Sequence, residues 1–168
     1  MGGIKQKNKK EIFVPVIPVV AFTDTLPPWA PTSTADIGKI VVPVSGKLKA
    51  VTGFAAVKGL KGSATSLKDT IKVVNDTITG AAGTAMTQEV TLHEVAASAE
   101  VTQLEVGTKI VLLPTSAAAA AVKAGDVLTI IWTETPTFNS GTRPKVMFTG
   151  AVFEADSNAD LCDYTNRQ

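Results

Sequence analysis

The chain has 168 residues, a mass of 17.4 kDa and a formal charge of +1, with 45% hydrophobic and 18% charged residues. That balance excludes a disordered polyelectrolyte, and no apolar run approaches the roughly 20 residues that cross a bilayer as a helix. One cysteine, Cys162, excludes an intrachain disulfide, and one histidine, His93, leaves little for a metal site built on nitrogen or sulfur.

The chain opens on a Gly- and Lys-rich leader, Met1 to Lys10, with four lysines and no acid. An apolar run punctuated by Pro15 and Pro18 follows, and then Pro27, Pro28 and Pro31 surround Trp29, so five of the nine prolines fall between residues 15 and 31. Proline lacks a donor and turns the residue before it away from the helical region, which disfavours both a helix and a central strand here. A basic leader, an apolar stretch and then Ala21 outline a secretory signal, but Glu11 and the two prolines interrupt it. Residues 1–37 therefore read as an extended arm whose Ile12, Phe13, Val14, Val16, Ile17, Phe22 and Trp29 find no shelter within the arm itself. These seven are the expected anchors onto other subunits. Such an arm adds to a sheet edge, its own or a neighbour's, and each fully buried anchor contributes roughly 1.5–3 kcal/mol.

From Gly38 the texture changes: valine, isoleucine and threonine together make 52 of the 168 residues, favouring strands. The expected strands are Lys39–Val44, Lys47–Val57, Thr70–Thr77, Glu89–Val95, Glu100–Leu113 with a break near Gly107, Asp126–Thr135 and Pro144–Phe153. Turn residues separate them at Ser45-Gly46, Lys58 to Gly62, Asn75-Asp76 with Gly80 and Gly83, Gly107, and Asn139-Ser140-Gly141. Alternation puts Leu48, Ala50, Thr52, Phe54 and Ala56 on one face of the second strand, and Val146, Phe148 and Val152 on one face of the last. Ser116–Ala124, with five consecutive alanines before Gly125, is expected as one packed turn, being too short for an independent helix. Glu89–Val106 also has helical spacing, but its Val and Thr content favours strands. The fold expected is all-β: an antiparallel β-sandwich, jelly-roll-like or Ig-like, over residues 38–154, followed by an acidic tail over 155–168.

Charge is unevenly spread along this plan. Residues 1–62 hold nine lysines against Glu11, Asp24 and Asp36, whereas residues 63–168 hold seven basic and twelve acidic residues. A basic head and an acidic tail can attract between copies. Lys5, Lys7, Lys9 and Lys10 could neutralise phosphates, but no aromatic is interleaved with them, so no nucleic-acid partner is expected.

Side-chain chemistry is sparse. His93 sits in a strand beside Glu94, Cys162 lies in the acidic tail, and no G-x-S-x-G elbow or phosphate-binding glycine loop is present. Asp156, Asn158, Asp160 and Asp163 place oxygens at calcium-like spacing, but Leu161 stands where the loop needs glycine and Arg167 where it needs glutamate. No catalytic residue, metal or cofactor is expected, and the chain is not read as an enzyme.

The run from Lys39 to Val57, the DTIKVVNDTITG segment and the alanine-rich stretch ending in VKAGDVLTIIWTET carry a resemblance. They resemble the small β-sandwich proteins that decorate or cement tailed-bacteriophage heads. The matching positions are Pro43 and Gly46; Ile71, Val73, Asn75 and Asp76; and Ala121, Val122, Ala124, Gly125, Asp126, Val127, Leu128 and Ile130, within a likeness over about residues 38–153. The resemblance implies a non-enzymatic virion structural protein on the capsid exterior, assembled in the host cytoplasm. It implies binding to the major capsid protein lattice, commonly as a homotrimer, with no membrane partner. The alternative is a virion or cell-surface β-sandwich that recognises carbohydrate or a host surface; Trp29, Trp132 and Tyr164 are the Trp and Tyr residues such a site could use.

Overall fold

The computed structural model describes residues 10–18, 35–79, 84–135 and 142–156. Within them the chain runs β1 (Glu11–Val14), β2 (Ile17–Pro18), β3 (Ala35–Val41), β4 (Gly46–Val57) and β5 (Leu67–Asn75), then a single helical turn α1 (Asp76–Thr79). It continues through β6 (Thr84–Ala85), β7 (Val90–Ala96), β8 (Ala99–Gln103), β9 (Lys109–Leu112), β10 (Ala121–Val122), β11 (Val127–Thr135) and β12 (Lys145–Ala155). Every pairing is antiparallel. One sheet has the order β1-β12-β4-β10, with β9 also on β4; the other has the order β2-β3-β11-β5-β7-β8, with β6 on β5. The protein is an all-β antiparallel sandwich.

The two inner faces meet in one core. The first sheet contributes Leu48, Val51, Ile110, Leu112, Val146 and Phe153, and the second contributes Ile40, Ile71, Val73, Leu92, Leu128, Ile130 and Trp132. In the second sheet Leu67, Asp69, Ile71, Val73 and Asn75 occupy alternate positions of β5, and the register sets Leu128, Ile130, Trp132 and Glu134 of β11 opposite the last four of these. The apolar rows are thus closed by polar residues at both ends.

The expected strands all form, shifted by a few residues, and the long Glu100–Leu113 segment breaks around Gly107, whose φ is +84°. Glu89–Val106 forms strands and no helix. Ser116 caps one turn: its Oγ accepts from Ala119 N at 3.1 Å and its carbonyl from Ala120 N at 3.0 Å. The turn signals at Gly80, Gly83 and 139–141 lie outside the described residues.

Two expectations of facing are corrected by bulges. Lys49 is an extra residue opposite the Val152–Phe153 step, so Leu48 points into the core while Ala50, Thr52, Phe54 and Ala56 turn outward and Val51 and Ala55 replace them inside. Thr149 is likewise extra between Phe148 and Gly150, which turns Val152 outward and brings Ala151 and Phe153 inside. A single inserted residue inverts the alternation beyond it.

Of the two seats open to the arm, its own sheet edges or a neighbour's, Glu11–Pro18 takes its own. β1 adds to β12 and β2 adds to β3, so Glu11–Pro18 covers one edge of each sheet and crosses between them at Pro15-Val16. The edge strand accommodates proline because its outer N–H positions are not needed for pairing.

Candidate interaction surface

Two glycines form the seat of β1 and β2. The Phe13 ring lies over Gly150: a Cβ placed there would stand 2.3 Å from Cζ of Phe13 and 2.7 Å from the Val14 carbonyl oxygen. On β3, a Cβ at Gly38 would stand 2.6 Å from Cγ1 of Val16. Val14 and Val16 pack against the core, and Ile12 is half-buried. Phe13 and Ile17 stay 60% and 56% exposed.

The structure therefore divides the seven anchors expected from sequence. Ile12, Val14 and Val16 are engaged with their own sandwich, because alternation turns them toward it; Phe13 and Ile17 present apolar surface outward; Phe22 and Trp29 lie outside the described residues.

Phe13 belongs to a larger face. Cross-strand register places Phe13 beside Val152 and Ala50, Val111 beside Thr52, and Met147 beside Phe54, all on the outer side of the first sheet. Thr52 Oγ1 and Thr149 Oγ1 are hydrogen-bonded at 2.7 Å, which satisfies both hydroxyls within the face. Charges stand at its margins: Lys109 beside Phe54 at one end, and Glu11, Lys47 and Glu154 at the other, where Lys49 lies 3.5 Å from Glu154. Two register inversions thus separate Phe54 from Leu48 and Val152 from Phe148, which simple alternation puts on one face. An apolar centre with a charged rim is the composition of a surface that another protein covers.

At one end of the sandwich the polar residues serve the fold. Asn75 caps α1, its Oδ1 accepting from Thr77 N at 3.0 Å, while its Nδ2 donates to Asp126 Oδ2 at 3.0 Å. Lys123 N donates to the same Asp126 oxygen at 2.9 Å. Lys39 Nζ lies 3.2 Å from Asp36 and 3.4 Å from Asp76, and donates to Thr129 Oγ1 at 3.1 Å. Partial burial lowers the Lys39 pKa, but the two carboxylates outweigh it and the net shift is upward.

At the other end a charged row crosses four strands, with Glu134, Asp69, His93 and Gln103 consecutive in register. His93 is fully buried; its Nε2 lies 2.8 Å from Glu100 Oε2, and its Nδ1 lies 3.8 Å from Asp69 Oδ2. At that distance the Asp69 contact is coulombic only, and neither Nδ1 nor Oδ2 has a hydrogen-bond partner among the described residues. Burial opposes the charged imidazole, but Asp69 and Glu100 prevail and raise its pKa above the ordinary value. The Gly59 backbone lies on the ring, where a Cβ would come within 2.7 Å of Cγ, and Gln103 Nε2 donates to the Gly59 carbonyl. Arg143 pairs with Glu134 at 2.8 Å. Glu94, the sequence neighbour of His93, faces Lys68 at 3.6 Å, and the carboxylates at His93 come from β5 and β8. The apolar alternation of Leu67, Ile71 and Val73 is the signal that would have put Asp69 on the core face.

Trp132 is buried in the core and so is not available to stack a sugar. Asp156, the first of the calcium-like oxygens, is exposed and donates its N–H to the Ser45 carbonyl at 3.0 Å; the other three lie outside the described residues. No protein-family model matches this chain, and no curated protein matches its sequence.

Proposed function

We propose that this chain is a non-enzymatic virion structural protein that decorates or cements a bacteriophage head by binding the major capsid protein lattice. The observation that carries this reading is the apolar outer face of the first sheet, where Phe13, Val152, Met147, Phe54 and Val111 are presented by four adjacent strands. A lattice offers many identical sites, so a modest contact per copy suffices when copies also hold one another. The sparse side-chain chemistry agrees with this role: the one histidine is enclosed between carboxylates as part of the fold. On this reading the partners are the capsid protein and further copies of this chain, and the location is the outer capsid surface.

Co-sedimentation of the purified chain with undecorated heads of the virus that encodes it tests the reading. Wild-type protein is expected to pellet with the heads and to raise their disruption temperature. Val111→Glu, on an exposed strand position, is expected to abolish pelleting while leaving the melting curve of the free protein unchanged. Wild-type protein that stays in the supernatant, or a Val111→Glu variant that binds as well as wild type, would overturn it.

A further inference from the structure

We infer that β1 and β2 are exchanged between copies, so that the seat formed by Gly150 and Gly38 of one chain receives Phe13 and Val16 of another. The inference deepens the proposed function by naming how copies hold one another, and rests on that reading only for the purpose of the assembly.

Three observations carry it. The first is the position of the seat. β1 lies outside β12 and β2 outside β3, each the end strand in its sheet's order, so both can leave without breaking a pairing between any other strands. The second is the length of chain that follows. Pro18 pairs with Gly38, and from strand spacings Ala35 lies about 11 Å from Pro18. Closing neighbouring antiparallel strands takes about two to five residues, yet residues 19–34 supply 16, a reach of about 55 Å. That reach is sufficient for the seat of an adjacent copy. The third is what the closed form leaves uncovered. Phe13 and Ile17 point away from their own body at 60% and 56% exposure. A neighbouring body brought alongside the exchanged β2 covers Ile17, on the second sheet, and leaves Phe13 on the outer face of the first sheet.

The contacts at the seat are the same whether β1 and β2 come from the same chain or from another. The balance between the two forms therefore depends only on the connecting residues and on the new surface that exchange buries. Burial of the Ile17 side chain favours the exchanged form, and its share rises with protein concentration.

Glu11 and Glu154 are directly opposed across β1 and β12 on the outer face, so cysteines there report the occupancy of the seat without entering the core. In a Cys162→Ser background, a full-length chain carrying Glu11→Cys is co-refolded at high concentration with a tagged full-length chain carrying Glu154→Cys, and the mixture is oxidised. A reducible link between the two different chains is the expected product, the majority species at high concentration and several-fold less abundant when refolding is dilute. The double variant Glu11→Cys/Glu154→Cys in one chain serves as the second measurement. If it closes only upon itself while the mixed chains never link, exchange is overturned. If neither links, β1 does not occupy the β12 edge and the inference fails equally. The measurement uses free protein, so its failure is distinct from a failure to bind heads.

Discussion

The ring of Phe13 and the backbone of Gly150 are in such close contact that a methyl group on the glycine would stand 2.3 Å from Cζ of the ring. Sequence position separates them by most of the chain, and β1–β12 pairing brings them together. Gly150→Ala should therefore dislodge β1 and cost about 1–3 kcal/mol, the range for overpacking a tight site. Phe13→Ala added to it should restore only part of the loss, because the Val14 carbonyl also lies within 2.7 Å. Denaturant melts of the two single variants and the double variant measure the coupling.

Val16 and Ile17 are neighbours in sequence with opposite assignments. Val16 packs on the core above Gly38, whereas Ile17 faces outward. In dilute protein, where the closed form prevails, Val16→Ala should lower stability by about 1 kcal/mol, and Ile17→Ala should stay within about 0.5 kcal/mol of wild type. Equal costs in thermal unfolding would contradict the described placement of β2.

Stability should depend on pH through His93. Its folded-state pKa is raised, because Asp69 and Glu100 outweigh the burial that opposes the charge. Its contribution is then fully present below the unfolded value of about 6.5 and is lost as pH rises through the higher folded value. The melting-temperature advantage of wild type over His93→Gln should accordingly be largest in mildly acidic buffer and shrink toward alkaline pH. A difference that does not change with pH would show that the imidazole is uncharged in the folded protein.

The β7–β8 hairpin turns through Ala97 and Ser98 at φ of 49° and 65°, a left-handed pair usually occupied by Asn-Gly. Ser98→Gly should stabilise the protein by about 1 kcal/mol by relieving that conformation. Its backbone contacts persist, since Ser98 N donates to Thr65 O and Ser98 O accepts from Lys61 Nζ. A lowered melting temperature would show that the hydroxyl, not the backbone, matters at this turn.

The Asn75–Asp126 bond ties the end of β5 to the residue before β11, 51 residues apart in sequence. Asn75→Ala should cost about 1–3 kcal/mol, since it removes the α1 cap and leaves the buried Asp126 with one fewer donor. Chemical denaturation at neutral pH measures it.

Strand content, the break at Gly107 and the packed turn after Ser116 were legible in the chain itself, because β-branched alternation and glycine or serine punctuation act over a few residues. Tertiary structure alone decided which faces are which. The extra residues at Lys49 and Thr149 become bulges only through their pairing partners, and they turn Phe54 away from the face of Leu48 and Val152 away from that of Phe148. The same holds for Glu11–Pro18, whose seat depends on glycines at 38 and 150, and for His93, whose carboxylates come from two other strands. Local sequence sets the conformation of a strand, whereas register between distant strands sets what each side chain meets.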